Sequence, residues 1–213
     1  MVKLLEHYFS VNPHIKSELR NIKVRFNDVD LTFCSDNGVF SKDKIDYGSK
    51  VLINAFIKTS DSFKSVLDLG CGYGFIGITL AKLYPNSSVE MADLNERAVH
   101  LAKKNIKLNN VEVNAVAFAS NIYENVNKKY DVIITNPPIR AGKNVVLSFL
   151  RDALNYLNSN GTVWFVIRKD QGALSVKKIL ENDYACQIID KSKGFFVIRM
   201  KKHWLLRLWL IKF

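Results

Sequence analysis

Ser65-Val66-Leu67-Asp68-Leu69-Gly70-Cys71-Gly72-Tyr73-Gly74-Phe75-Ile76-Gly77-Ile78-Thr79-Leu80-Ala81-Lys82-Leu83 is the stretch from which the fold can be read. Val66 to Leu69 is a short apolar run of the kind that forms a buried strand. Phe75 to Leu83 continues as a helix, which Pro85 must end. Between them lies a glycine run. Glycines carry no Cβ and accept unusual dihedrals, so such a loop brings backbone close to a ligand. Strand, glycine loop and helix in this order open a parallel α/β sheet.

The alternation continues downstream. Val89 to Ala92 predicts a second strand, Glu96 to Leu108 a helix with one apolar face, and Val113 to Ala117 a third strand. Asp131 to Thr135 is apolar enough to be central in a parallel sheet. Helix over Val145 to Leu157, strand over Gly161 to Ile167 and helix over Ala173 to Leu180 follow. Ala185 to Ile189 and Phe195 to Met200 form a closing pair turned at Gly194. Upstream, Val24 to Phe26 and Leu31 to Phe33 flank the turn signal Asn27-Asp28-Val29-Asp30. Gly38 to Ser41 reads as a loop, and Ile45 to Ile57 as a helix capped by Asp46 or Ser49. The expectation is an α/β fold: a doubly wound, mostly parallel sheet with a C-terminal antiparallel strand and a small N-terminal addition. Residues 1–60 form the hairpin-and-helix addition, 61–202 the α/β domain, and 203–213 an apolar-basic tail.

The chain has 213 residues, 48% of them hydrophobic, which suits one domain with a full core. Lys and Arg number 31 against 20 Asp and Glu, a net charge of +11. Such a surface attracts polyanions such as RNA, or simply aids solubility. Cys34, Cys71 and Cys186 are too scattered for a zinc site or a disulfide framework, so no metal is expected and reduced thiols suit a cytoplasmic protein. The N-terminus lacks the apolar run of a signal peptide. No stretch approaches the ~18 apolar residues of a membrane span. The tail from His203 to Phe213 can cover its own domain, meet a partner, or lie on a membrane; the membrane contact is the least expected.

Asp68 stands just before the first glycine. A carboxylate there repels a phosphate but suits the cationic amino group of a methionine moiety, which turns the reading from NAD toward S-adenosylmethionine. The loop residues Gly70, Cys71, Gly72 and Gly74 are the expected cofactor cradle. Asp93, with Leu94 after it, ends the second strand, where an acid accepts the ribose hydroxyls. The plainer role for Asp93 is a helix cap.

Asn136-Pro137-Pro138-Ile139 ends the fourth strand. Ligands of open α/β sheets sit at the carboxyl ends of the strands, so this turn emerges beside the glycine loop. An exocyclic or amide nitrogen is a poor nucleophile because its lone pair is delocalised. The Asn136 side-chain carbonyl and the Pro137 backbone carbonyl can hold both N–H groups, turn the lone pair toward a sulfonium methyl, and stabilise the growing positive charge. The prolines fix the backbone. Catalysis is then orientation and electrostatics.

On these residues the chain resembles the class I amino-methyltransferases. It is more closely similar to the small-subunit ribosomal RNA methyltransferase C family and its single-domain relatives. Supporting segments are Tyr8-Phe9-Ser10-Val11-Asn12-Pro13, Gly38-Val39-Phe40-Ser41, Ile45-Asp46-Tyr47-Gly48-Ser49 and Asn136 to Lys143. The resemblance implies a Rossmann-like class I fold and methylation of guanine N2 in 16S rRNA, with ribosomal RNA or the 30S subunit as partner. It also suggests that Phe40 lies near the cofactor or target pocket; the plainer role for this ring is core filler. Three departures stand out. Asn121 replaces an Asp that meets the adenine amino group, and its carbonyl can still accept that bond. Ile139 replaces an aromatic that stacks on the target base. The tandem N-terminal domain of some members is not expected here. Arg140, Lys143, Arg168 and Lys169 are candidate phosphate contacts or plain surface charges.

Two other functions fit part of the pattern. Release-factor glutamine N5-methyltransferases use a similar turn, usually with Tyr after it; net charge and Ile139 favour RNA. DNA-adenine methylation lacks a recognition domain in so short a chain. A non-catalytic RNA-binding module has no use for intact Asp68, Asp93 and Asn136.

Overall fold

The computed structural model describes residues 15–60 and 62–203. Strands β1 (Arg20–Phe26) and β2 (Val29–Ser35) make the expected hairpin. Its turn is Asn27-Asp28 alone, both residues left-handed at φ 46° and 62°, the twist a two-residue hairpin turn requires. Val29 and Asp30, expected in the turn, already belong to β2. Helix α1 (Tyr47–Thr59) starts at Asp46, which is the cap of the two candidates: its Oδ2 accepts the Ser49 N–H at 2.8 Å.

The remaining order is β3 (Ser65–Leu69), α2 (Phe75–Leu83), β4 (Ser88–Asp93), α3 (Glu96–Leu108), β5 (Ala115–Ala119), β6 (Tyr130–Thr135), α4 (Lys143–Asp152), β7 (Leu157–Arg168), α5 (Ala173–Leu180), β8 (Tyr184–Ser192) and β9 (Phe195–Lys202). Seven strands form one sheet in the order β5-β4-β3-β6-β7-β9-β8. β3 to β7 are parallel; β9 is antiparallel to both its neighbours. The last strand thus inserts inside the sheet and leaves β8 at the edge.

Alternation along the central strands assigns the two faces. Val66, Val132 and Ile134 pack with the hairpin and with α1, α2 and α3. Leu67, Leu69 and Ile133 pack with α4 and α5. Both faces are covered, which is why these strands read as unbroken apolar runs. The hairpin shares its hydrophobic cluster with the sheet, through Phe26, Leu31 and Phe33.

Several boundaries differ from the expectation; the strand expected from Gly161, for one, already begins at Leu157. The third strand of the alternation begins two residues late, at Ala115; Val113 is 93% exposed, so its β-branched side chain marks a loop. The helix expected to reach Leu157 ends at Asp152 and tightens into a 3-10 turn over Ala153–Tyr156. Leu157 keeps helical spacing from Leu154, but its burial comes from strand pairing with Tyr130. Tyr8 to Pro13 and the tail from residue 204 lie outside the described residues. Among the described residues no helix is long and apolar enough to cross a membrane.

Candidate active site at the carboxyl edge of the sheet

β3 and β6 are parallel neighbours, with Asp68 beside Ile134. Gly70–Gly74 and Asn136–Ile139 therefore leave the sheet at the same edge. Thr135 Oγ1 donates to the Leu69 carbonyl at 2.7 Å and ties the two turns at their roots. β4 delivers Asp93 to that edge, since Leu69 pairs with Ala92.

The N–H groups of Gly70, Cys71, Gly72 and Gly74 are engaged within the protein. Gly70 and Cys71 donate to the Ala92 carbonyl at 2.8 and 3.1 Å, and Gly74 to the Cys71 carbonyl at 3.0 Å. Gly72 donates to Asp93 Oδ2 at 2.8 Å. A phosphate cradle needs such donors free, and these four are taken. What it offers is room. At Gly72, φ 57°, no atom lies within 4 Å of where a Cβ would stand.

Asp68 is 1% exposed. Its Oδ2 accepts the Gly77 N–H at 2.8 Å and so caps the start of α2 from the neighbouring strand. Its Oδ1 is buried with no hydrogen-bond partner. Burial foremost, and the nearby Asp93, raise its pKa from 3.8 to about 7, against the pull of the Gly77 bond. Gly77 permits this contact. A Cβ there would stand 2.4 Å from Met91 Cγ and 3.2 Å from Asp68 Oδ2.

Asp93 Oδ1 accepts the Asn95 N–H at 2.8 Å. Burial raises its pKa despite that bond and the one from Gly72. With Asn95, Gly72 and Leu94 as backbone donors, the carboxylate still has capacity for a further donor. The cap of α3 is Asn95, whose side chain accepts from Arg97 and Ala98, so the capping role weighed for Asp93 falls to its neighbour. Leu94 is half-buried, and Cys71 is buried with its thiol pushed well up in pKa, chiefly by burial.

Asn136 has a fixed orientation. Its Nδ2 donates to Asp46 Oδ2 at 2.9 Å and to Ser49 Oγ at 3.0 Å. Asp46 is a pure acceptor when ionised, so the amide nitrogen must face α1. The side-chain oxygen faces the other way and is left to accept. The Pro137 carbonyl accepts the Ile139 N–H at 2.9 Å across Pro138 (φ −75°, ψ 80°), which leaves it one lone pair. In the sequence Asp46 and Ser49 are candidate caps and part of a segment shared with the family, with nothing that joins them to Asn136. The proximity of α1's first turn to β6 has no local signal in the chain.

The other expected residues are spread around this edge. Asn121 follows β5 and is exposed. Phe40 is 55% exposed, so it does not fill the core. Its loop is stitched to the edge: Asn95 Nδ2 donates to the Gly38 carbonyl at 2.9 Å, and the Tyr73 hydroxyl reaches the Ser41 carbonyl at 3.5 Å. Ile139 is half-buried against the α4–α5 face. Arg140 is exposed, whereas Lys143 Nζ turns to Ser175 Oγ of α5 at 3.0 Å. Among the described residues no group of three His, Cys, Asp or Glu side chains is placed to hold a metal ion.

Sheet order and edge define the class: this is the Rossmann-like fold of class I S-adenosylmethionine-dependent methyltransferases. The chain belongs to the methyltransferase small domain family, which matches residues 30–199. It is 40% identical over 200 residues to the uncharacterized protein YbxB of Bacillus subtilis, covering 92% of this chain and 98% of that one. It is 33% identical over 165 residues to the ribosomal RNA small subunit methyltransferase C of Psychromonas ingrahamii, covering 75% of this chain and 46% of that one. Among solved structures it is similar to the T. thermophilus 16S rRNA N2 methyltransferase in complex with AdoMet and guanosine. There the TM-score is 0.78 at 26% identity, over 90% of this chain and 52% of the other. The chain thus spans about half the length of the ribosomal RNA methyltransferases it matches.

Proposed function

We propose that this chain transfers a methyl group from S-adenosylmethionine to an exocyclic amino group, guanine N2 of 16S ribosomal RNA. The observation that carries the reading is Asn136: Asp46 and Ser49 hold its amide nitrogen, so only its oxygen is offered to a target. The likeness to a 16S rRNA N2 methyltransferase and the net charge of +11 support guanine and RNA over a protein carboxamide.

The residues present fit the cofactor. Asp68 Oδ1 is a buried oxygen without a donor, suited to a cationic amino group, and the Gly72 cradle is open. Asp93 would hold the ribose hydroxyls, with Leu94 beside them, and Asn121 the adenine edge. Bound there, the cofactor supplies an electrophilic sulfonium methyl. Asn136 Oδ1 accepts one N–H of the target amine and the second lone pair of the Pro137 carbonyl accepts the other. Together they orient the nitrogen lone pair and stabilise the positive charge that grows on it. Pro138 and Ile139 shape the floor of the target pocket, and Phe40 supplies the exposed ring that Ile139 lacks. Arg140 positions the backbone; Lys143 does so by leaving Ser175.

The test is transfer of tritium from labelled cofactor to 16S rRNA, 30S particles and release factor in parallel, followed by nucleoside analysis. The expected product is N2-methylguanosine. Label in release factor alone, or in another nucleoside, overturns the target. Asn136→Ala should lower transfer by about 10²–10³-fold while cofactor affinity by calorimetry holds.

A further inference from the structure

We propose that the tip of the β8–β9 hairpin, with the end of β7 and the start of α1, is a docking platform for single-stranded RNA beside the target pocket. The inference rests on the RNA reading above. Arg168 ends β7 and pairs with Phe195, the first residue of β9; Ser192 ends β8 and pairs with the same Phe195. On β6, Thr135 pairs with Phe165. The end of β7 therefore projects three residues beyond Thr135, ~10 Å at the strand rise, one strand over from the Asn136 turn, and the β8–β9 tip lies beside it, two strands over and beyond.

The platform is built onto the helix end that orients Asn136. Tyr47 follows the cap Asp46. Its ring meets Phe195 at 5.7 Å between centroids, and its hydroxyl lies 2.9 Å from Ser192 Oγ. A Cβ on Gly48 would stand 2.7 Å from Phe195 Cε1, so the helix lies flat on that ring. The tip is a tight turn, with Lys193 and Gly194 both left-handed at φ 45° and 81°, and the Lys169 N–H donates to the Gly194 carbonyl at 2.8 Å. It is a braced projection from the sheet.

Its chemistry is cations laid over aromatic rings. The Arg168 guanidinium lies 5.5 Å from the Phe195 centroid and Lys193 Nζ 5.1 Å from that of Tyr47; on the other face of the tip Lys191 Nζ lies 5.1 Å from the centroid of the buried Phe196. Arg168, Lys169, Lys191 and Lys193 are all exposed, and Asp170 pairs with Arg168 at 2.9 Å. Four cations against Asp170 and Asp190 leave a positive tip. Cations meet phosphates, and the accessible edges of Tyr47 and Phe195 with the Arg168 plane meet unpaired bases. A protein target offers neither phosphates nor base faces, so RNA fits the surface better than an acidic peptide.

The experiment is fluorescence anisotropy with a labelled single-stranded RNA oligonucleotide and the full chain. Three proteins are compared: wild type, Lys191→Gln with Lys193→Gln, and a matched control, Lys103→Gln with Lys104→Gln, on the exposed face of α3. The platform pair should weaken binding by about tenfold or more and flatten the salt dependence by up to ~1 unit of slope for each phosphate no longer neutralised. The control should change it little, and all three should bind S-adenosylmethionine alike. If wild type binds RNA and both pairs weaken it equally, or neither does, the platform is wrong while the RNA reading stands. If wild type ignores RNA and binds an acidic peptide, both fall.

Discussion

Replacing Asp68 by Asn should make the ligand-free protein more stable with rising pH, relative to wild type. The folded carboxyl titrates near 7 instead of 3.8, mainly because it is buried. Between those two values the folded state holds a proton that the unfolded chain has released. Stability therefore falls as pH rises through that window. At 1.36 kcal/mol per unit, the carboxylate costs roughly 2 kcal/mol at pH 5 and roughly 4 kcal/mol at pH 8. Asn removes that cost. Its Oδ1 can keep the Gly77 bond, and its amide nitrogen meets the place where Oδ1 of the acid has no partner. That mismatch costs ~1–3 kcal/mol at every pH, so the diagnostic quantity is the pH dependence. For a chain of this size ~1 kcal/mol moves Tm by ~2–4 °C. The Tm of Asp68→Asn minus that of wild type should then rise by ~5–10 °C from pH 5 to pH 8 in calorimetric scans. Saturating S-adenosylmethionine should narrow the gap at pH 8, where wild type gains a cation for its carboxylate. A difference that is flat or falls with pH would refute the argument that Asp68 is buried as an uncompensated acid.

Asp46→Ala should lose ~1 kcal/mol of stability in urea melts from the missing cap and lower methyl transfer by ~10²-fold, because Asn136 can then turn its amide. Cofactor affinity should hold, and Asp46→Asn, which still accepts, should restore part of the rate; wild-type turnover in a folded Asp46→Ala protein sinks the orienting role. Gly77→Ala should cost ~1–3 kcal/mol by overpacking Met91 and Asp68, with part recovered by adding Met91→Ala; a neutral Gly77→Ala would show that α2 does not need this close approach.

Much of the fold was legible because its signals are local. The Val66–Leu69 strand and the helices over Phe75–Leu83, Glu96–Leu108 and Ala173–Leu180 were placed by apolar runs, periodicity and breakers. The misses came where two patterns compete. Leu157 continues a helical spacing, yet Tyr130, far away in sequence, claims it for a strand. Val113 has the β-branched shape of a strand residue but no neighbour to pack against. Within the site, the order of Asp68, the glycines, Asp93 and Asn136 was visible because each ends or follows a strand of one parallel sheet. The hold of Asp46 and Ser49 on Asn136 was not, since it joins residues about ninety positions apart.

By itself the amino-acid sequence determined which segments become strands and helices, that the sheet is mainly parallel, and which loops reach its carboxyl edge. Those properties follow from burial periodicity and turn chemistry within a dozen residues. Only the tertiary structure decided how the edge is wired: that the N–H groups of Gly70, Cys71, Gly72 and Gly74 are engaged internally, that Asp68 keeps a bare buried oxygen, that Asn136 can offer only its carbonyl, and that β9 slips between β7 and β8. These depend on which distant groups are brought within hydrogen-bonding range, and the packing of the whole sheet sets that distance.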